Sequence, residues 1–294
     1  MAENDCESAK IIIRDYKNMN KNMDAKVVDA FGDEWSRFDQ SGLTDLDLQE
    51  MFDSYFSIFP WNKLPTNSVG LDVGCGSGRW AKLVVPKVGQ LHCIDASKAA
   101  LDVARKNLAH SKNCKFYLAS VDNIPLPDES VDFVYSLGVL HHIPDTKEGI
   151  KACVTKLKKG APFLLYLYFA FDNKPSWYRL IWKISELGRI LISRMPYLLR
   201  YVTSQFIALS IYWPLGRFAQ LMELAGFNVD SMPLSYYRKR SFYVMRTDAL
   251  DRFGTRLEKR FTKDQITNMM ENAGLENLFF SNSKPYWHVV GYKK

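Results

Sequence analysis

Residues 70–79 read GLDVGCGSGR, placing Gly74, Gly76 and Gly78 at every second position between an apolar run at 69–73 and a segment with helical spacing at 79–88. Glycine tolerates positive φ and lets a ligand lie against the backbone and against the free amides that open the following helix. A strand, a glycine turn and a helix in that order commit the chain to an α/β fold. The spacing is not GxGxxG, whose third glycine falls one position later, and it is not the phosphate-cradling GxxxxGK[ST]. Asp72 would add negative charge beside the loop, which disfavours a pyrophosphate and suits an ammonium group. A second apolar run ends at Asp95, 17 residues past Gly78, where a carboxylate can accept hydrogen bonds from both hydroxyls of a ribose. The ligand so described is a nucleoside that carries an amino acid.

The alternation continues downstream. Residues 97–110 have apolar positions at 100, 101, 104 and 108, a helical spacing, and apolar segments follow at 115–119, 131–136, 150–157 and 163–169. Strands alternating with helices predict a doubly wound, mostly parallel sheet. Near the C-terminus, Thr262 and Gln265 form a capping-box pair that opens a helix through Asn272, with Gly274 placed as its C-terminal cap. Two strands, 275–281 and 287–292, then read as a closing antiparallel hairpin. Ahead of the sheet, 46–56 reads as a helix.

The series LDVGCGSG, CIDAS and SVDNIPLPDESVDFVYSLGVLHHIPD resembles the motifs of class I S-adenosylmethionine-dependent methyltransferases of the type 11 kind. It spans residues 69–169 in order. The resemblance implies a Rossmann-like seven-stranded sheet, S-adenosylmethionine as cofactor and S-adenosylhomocysteine as product. It places Gly74, Cys75, Gly76 and Gly78 along the methionine part of the cofactor, Asp72 near its amino acid end, and Asp95 with Ala96 at the ribose. Ser120, Val121, Asp122 and Leu137 complete that surface, with either Ser120 or Asp122 reaching the adenine. Cys75 is tolerated there as a small residue. Arg79 and Trp80, which begin the next helix, read as packing or solvated side chains. N-terminal segments of such proteins close over the cofactor, which makes Phe31 and Trp35 candidates for a lid.

After the fourth strand comes LGVLHHIPD, at the sheet edge where ligands bind. Methyl transfer from a sulfonium needs alignment and exclusion of water, and a base where the acceptor loses a proton. Histidine suits that role near neutral pH. His141 is the expected base and His142 its orienting partner. The Asn-Pro-Pro-Tyr type of loop that accompanies amine methylation on nucleic acids is absent, so amino acceptors on DNA bases lose support. The expected reaction is therefore O-methylation of a small-molecule or glycan-type acceptor. A silent cofactor-binding subunit and a membrane-surface enzyme acting on a quinone or lipid are the alternatives. A nicotinamide oxidoreductase is disfavoured by the glycine spacing.

Net charge is +7, yet residues 170–261 alone carry +8 and the remainder −1. The same region holds 17 of the 40 aromatic residues, so it differs in kind from its flanks. The expected organisation is an N-terminal helical lid segment at 1–66, a cofactor-binding core at 67–170 and 262–294, and a basic, aromatic, mainly helical cap at 171–261. Within the cap, 177–192 has apolar residues at 180, 181, 184, 187, 190 and 191 beside Lys183, Arg189 and Arg194. Such a stripe reads first as core packing, with peripheral membrane contact through 177–216 as the alternative. No run reaches the roughly 18 apolar residues of a membrane span. Nucleic acid is disfavoured, because the basicity comes without a recognised binding module. Five widely spread cysteines, no His/Cys cluster at metal-ligand spacing and an acidic MAENDCESAK start lead to expectations of no metal, no signal peptide and a cytoplasmic setting.

Overall fold

The computed structural model describes residues 22–294. Cys6 and the MAENDCESAK segment lie outside the described residues. Two helices, α1 (Ala25–Arg37) and α2 (Asp45–Tyr55), precede the sheet. The core then runs β1 (Val69–Val73), α3 (Ala81–Val84), β2 (Gln90–Asp95), α4 (Lys98–Asn107), β3 (Cys114–Leu118), β4 (Phe133–Leu137), α5 (Thr146–Lys156) and β5 (Pro162–Tyr166). Four helices follow: α6 (Ser176–Ile192), α7 (Tyr197–Ile207), α8 (Trp213–Leu224) and α9 (Phe242–Gly254). The chain closes with α10 (Lys263–Asn272), β6 (Leu275–Phe280) and β7 (His288–Lys293).

The strands form one seven-stranded sheet in the order β3-β2-β1-β4-β5-β7-β6. Only β7 is reversed, pairing antiparallel with β5 on one side and β6 on the other. Side chains alternate between the faces, as strand geometry requires. Leu91, Cys93, Phe133, Tyr135, Leu164 and Tyr166 enter a core with Met51 and Phe52 of α2 and with Phe56, which caps that helix. Leu71, Val73, Ile94, Val134, Phe163 and Leu165 enter the opposite core with α5 and α10. Thus α2 is part of the packed sheet, and of the segment before β1 it is α1 that covers the ligand edge.

Two local expectations are adjusted. The helix at 79–88 is the four-residue α3 followed by a 3₁₀ turn at Val85–Lys87, because Pro86 has no N–H to extend an α-helix. The apolar segment 150–157 belongs to α5. The chain leaves the core at Phe169 and returns at Phe261, where the two residues bridge and Ala170 N–H donates to the Phe261 carbonyl at 2.9 Å. Between them, α6, α7 and a π-turn at Ala208–Tyr212 pack on α9 through Ile192, Ala208, Tyr212, Met245, Ala249 and Phe253. The apolar stripe of α6 is not part of that packing. Leu180, Ile184, Leu187 and Leu191 are 59–66% exposed, which corrects the core-packing expectation. No helix among the described residues is long and apolar enough to cross a membrane.

Candidate cofactor and acceptor site

A cavity of about 710 Å³ opens at the carboxyl edge of β1, β2 and β4, beneath α1 and against the helices between β5 and α10. Gly74 and Gly76 form part of its wall with φ of 77° and 54°. A Cβ on Gly76 would stand 3.0 Å from Trp35 Nε1, so the indole of α1 lies directly on the loop. Asp95 shapes the loop from the other side: one carboxylate oxygen accepts from Gly76 N–H at 2.9 Å and the other from Ser97 N–H at 2.8 Å. Each oxygen keeps a lone pair for a hydroxyl of a bound ligand. Cys75, Ala96, Ser120, Val121 and Leu137 also line the cavity. A hydrogen bond to Cys93 pulls the Cys75 thiol down, but burial and the nearby Asp95 and Asp72 push it up to about 12, so it stays protonated.

Four of the residues expected to bind lie elsewhere. Gly78 is absent from the wall, and its missing side chain instead admits Leu108 and Ala104 of α4. Asp72 is buried under the loop, where it accepts a hydrogen bond from Tyr135 Oη at 2.7 Å; burial pushes its carboxyl up to about 8. Asp122 is exposed and accepts from Ser120 Oγ at 2.5 Å, so Ser120 is the member of that pair on the wall. His141 is fully buried, stacks on Tyr168 with ring centroids 3.8 Å apart, and has both ring nitrogens without a partner. Burial, with the neighbouring His142 and Arg260, holds it well below the usual histidine value. The expectation that His141 meets the acceptor is therefore corrected: His142 is the histidine on the cavity wall.

His142 is held in one orientation. Its Nδ1 lies 2.7 Å from the Leu257 carbonyl, which can only accept, so Nδ1 carries the proton. In the neutral ring that leaves Nε2 as an acceptor, and Nε2 is buried with no partner. The same wall carries Glu34 from α1, Asp248 and Asp251 from α9, and Arg79 from the end of the glycine loop, with Asp251 electrostatically close to His142. Asp251 accepts from Tyr168 Oη, and Asp248 from Tyr237 Oη at 2.9 Å. Burial pushes Asp248 up to about 6 and raises Asp251 and Glu34, the last further lifted by the two aspartates. Arg79 lies over the Trp80 ring at 4.4 Å, and its Nε is buried without a partner. Sequence reasoning passed over Arg79 as packing and missed the three acids; the one signal was the Asp248/Asp251 pair at i,i+3, which puts both on one helix face.

Residues 71–165 match the family described as a methyltransferase domain. The chain carries a class I S-adenosylmethionine-dependent methyltransferase domain. It is 30% identical over 106 residues to the uncharacterized methyltransferase YcgJ of Bacillus subtilis, covering 35% of this chain and 42% of that protein. It is 32% identical over 101 residues to phosphoethanolamine N-methyltransferase 2 of Caenorhabditis elegans, covering 33% and 23%. It is 36% identical over 92 residues to a ubiquinone biosynthesis O-methyltransferase of Alkalilimnicola ehrlichii, covering 31% and 37%. The chain thus spans less than half the length of these relatives.

The methyltransferase cavity fits S-adenosylmethionine on its own geometry. The positive-φ glycines and Gly138, at φ 80° with nothing within 4 Å of its absent Cβ, leave backbone open to close approach. Asp95, at the end of β2, would accept from a ribose, and the unpartnered Arg79 Nε would meet a carboxylate. When bound, the cofactor supplies a methyl group activated by a sulfonium. The glycine loop would hold it beneath α1, and Nε2 of His142 is an unpartnered acceptor on the same wall.

Proposed function

We propose that the protein transfers the methyl group of S-adenosylmethionine to a hydroxyl of a small-molecule or glycan-type acceptor, with His142 as general base. The observation that carries this reading is the His142 Nε2 lone pair, buried, unpartnered and on the wall of the glycine-loop cavity. The roles within the histidine pair are exchanged relative to the sequence expectation: His142 takes the proton, and His141 packs behind it with ring centroids 4.0 Å apart. Asp251 faces His142 electrostatically and stabilises the imidazolium that forms as the proton arrives. Arg79 holds the carboxylate end of the cofactor, Asp95 its ribose, and Ser120 with Val121 its adenine. Phe31 and Trp35 of α1 close the site, anchored by Asn22, whose side chain bonds both Asp145 N–H at 2.6 Å and Asp145 C=O at 2.7 Å.

A second reading, N-methylation, is favoured by Glu34, Asp248 and Asp251, which together would attract an ammonium group. Calorimetry with S-adenosylhomocysteine tests the cofactor half, and its failure to bind would sink both readings. Asp251→Asn separates them: it should lower kcat for a hydroxyl acceptor and raise KM for an amine. A protein that binds S-adenosylhomocysteine yet yields none from S-adenosylmethionine with hydroxyl or amine acceptors would be a silent partner subunit instead.

A further inference from the structure

Nineteen of the 21 exposed large hydrophobic side chains among the described residues fall between Trp177 and Phe227, on α6, α7, α8 and their connections. α6 and α7 present their other sides to α9, and α8 presents its own to the 3₁₀ turn at Ser235–Lys239, so the exposed residues face outward. Exposed apolar area this concentrated marks an interaction surface. Its charge is one-sided. Between residues 173 and 222 the sole acid is Glu186, which turns inward to Arg189 and to Arg252, the latter at 2.9 Å. Arg179, Lys183 and Arg194 are exposed along this face and join no ion pair among the described residues. Trp177 and Trp213, each nearly half exposed, add the amphipathic rings that favour a lipid–water boundary. The face is also continuous with the site: Ile181, Ile184, Ile211 and Leu215 are exposed and at the same time line the cavity.

We propose that this face docks on an anionic lipid surface, with the cavity mouth turned to the leaflet, so that an acceptor with an apolar tail enters from the bilayer without crossing water. The acceptor half rests on the methyltransferase reading; the docking half does not. A second copy of the chain fits the face less well, because a two-fold self-contact sets its unpaired cations against one another with no acid to meet them. Apolar stripes flanked by Lys and Arg instead match the interfacial helix pattern, in which each cation near an anionic headgroup adds about fivefold to binding.

The test is flotation of the full chain with phosphatidylcholine vesicles, with and without phosphatidylglycerol, using brominated acyl chains to quench tryptophan. Expected are co-flotation that needs phosphatidylglycerol, quenching of Trp177 and Trp213, and loss of both in Leu187→Glu/Phe206→Glu. The substituted positions are 65% and 67% exposed and outside the cavity wall, so thermal stability and S-adenosylhomocysteine affinity should be retained. Lys183→Ala with Arg194→Ala should weaken vesicle binding by about fivefold per cation removed. Absence of flotation, flotation without quenching, or a discrete dimer that the double glutamate variant dissolves would overturn the proposal. Calorimetry with S-adenosylhomocysteine on the same samples reads the methyltransferase assignment separately.

Discussion

His142 and His141 are neighbours with opposite environments, and the Leu257 carbonyl is what separates their roles. It fixes the His142 tautomer at 2.7 Å, whereas both nitrogens of His141 are buried between Tyr168 and His142 with no hydrogen-bond partner. An unmade buried hydrogen bond costs about 1–3 kcal/mol. His141→Leu, similar in volume, should therefore leave the melting temperature unchanged or raised and turnover largely intact. His142→Asn should lower turnover by about 100-fold or more, the usual share of a general base, with S-adenosylhomocysteine affinity retained. A turnover loss in the His141 variant and none in the His142 variant would reverse the assignment. Gly76 offers a check on the cofactor side. Alanine there adds about 1–2 kcal/mol of backbone strain at φ 54° and brings a methyl group to 3.0 Å from the Trp35 indole. Calorimetry should show S-adenosylhomocysteine affinity reduced by about tenfold.

At the scale of elements, the capping box of α10 shows how a local signal becomes structure. Thr262 Oγ1 accepts from Gln265 N–H at 3.2 Å, and the Gln265 side chain accepts from Thr262 N–H at 2.9 Å. Thr262→Ala should cost about 1 kcal/mol, read as a shift in the denaturant midpoint with unchanged slope. That pair was legible in the sequence because both partners lie within one turn. The strands and the glycine loop were legible for the same reason: alternation and a φ requirement are properties of neighbouring residues. What a helix face packs against is not local. The α6 stripe has a helical period whether α9, a partner or a lipid covers it, and only the fold shows that Leu187 and Leu191 point away from α9. The histidine pair was legible as a pair but not in its order, since which adjacent side chain faces the cavity depends on the turn between β4 and α5. The acids of the site escaped notice because Glu34 and Asp251 meet only when α1 closes on α9.

Bringing α1, the sheet and α9 together buries carboxyls from three parts of the chain, and this gives the whole molecule a pH dependence with a definite sign. Asp72 is lifted to about 8 and Asp248 to about 6, against about 3.9 for an unfolded aspartate; Glu34 and Asp251 are raised as well. A raised carboxyl lets the folded state hold protons that the unfolded chain has released. Its contribution is complete below the unfolded value and is lost as pH rises through the folded one. The buried histidines act oppositely, but lower down. His141 and His288 are held below the usual value and His92 at about 4, so they favour folding as pH rises toward about 6.5 and fall silent above it. Between about pH 4 and 6.5 the two sets oppose each other. Above about 6.5 the histidines no longer contribute, and Asp72 together with the strongly raised Glu34 is placed to titrate there, the buried thiols adding in the same direction toward the upper end. The melting temperature of the ligand-free protein should fall from about pH 6.5 to 8.5, by no more than about 1.4 kcal/mol of stability per pH unit for a single group. Asp72→Asn keeps an acceptor for Tyr135 Oη while removing one titrating group, and should make that limb shallower. A melting temperature constant or rising over the same interval in the unsubstituted protein would show that Asp72 is ionised in its place beneath the glycine loop.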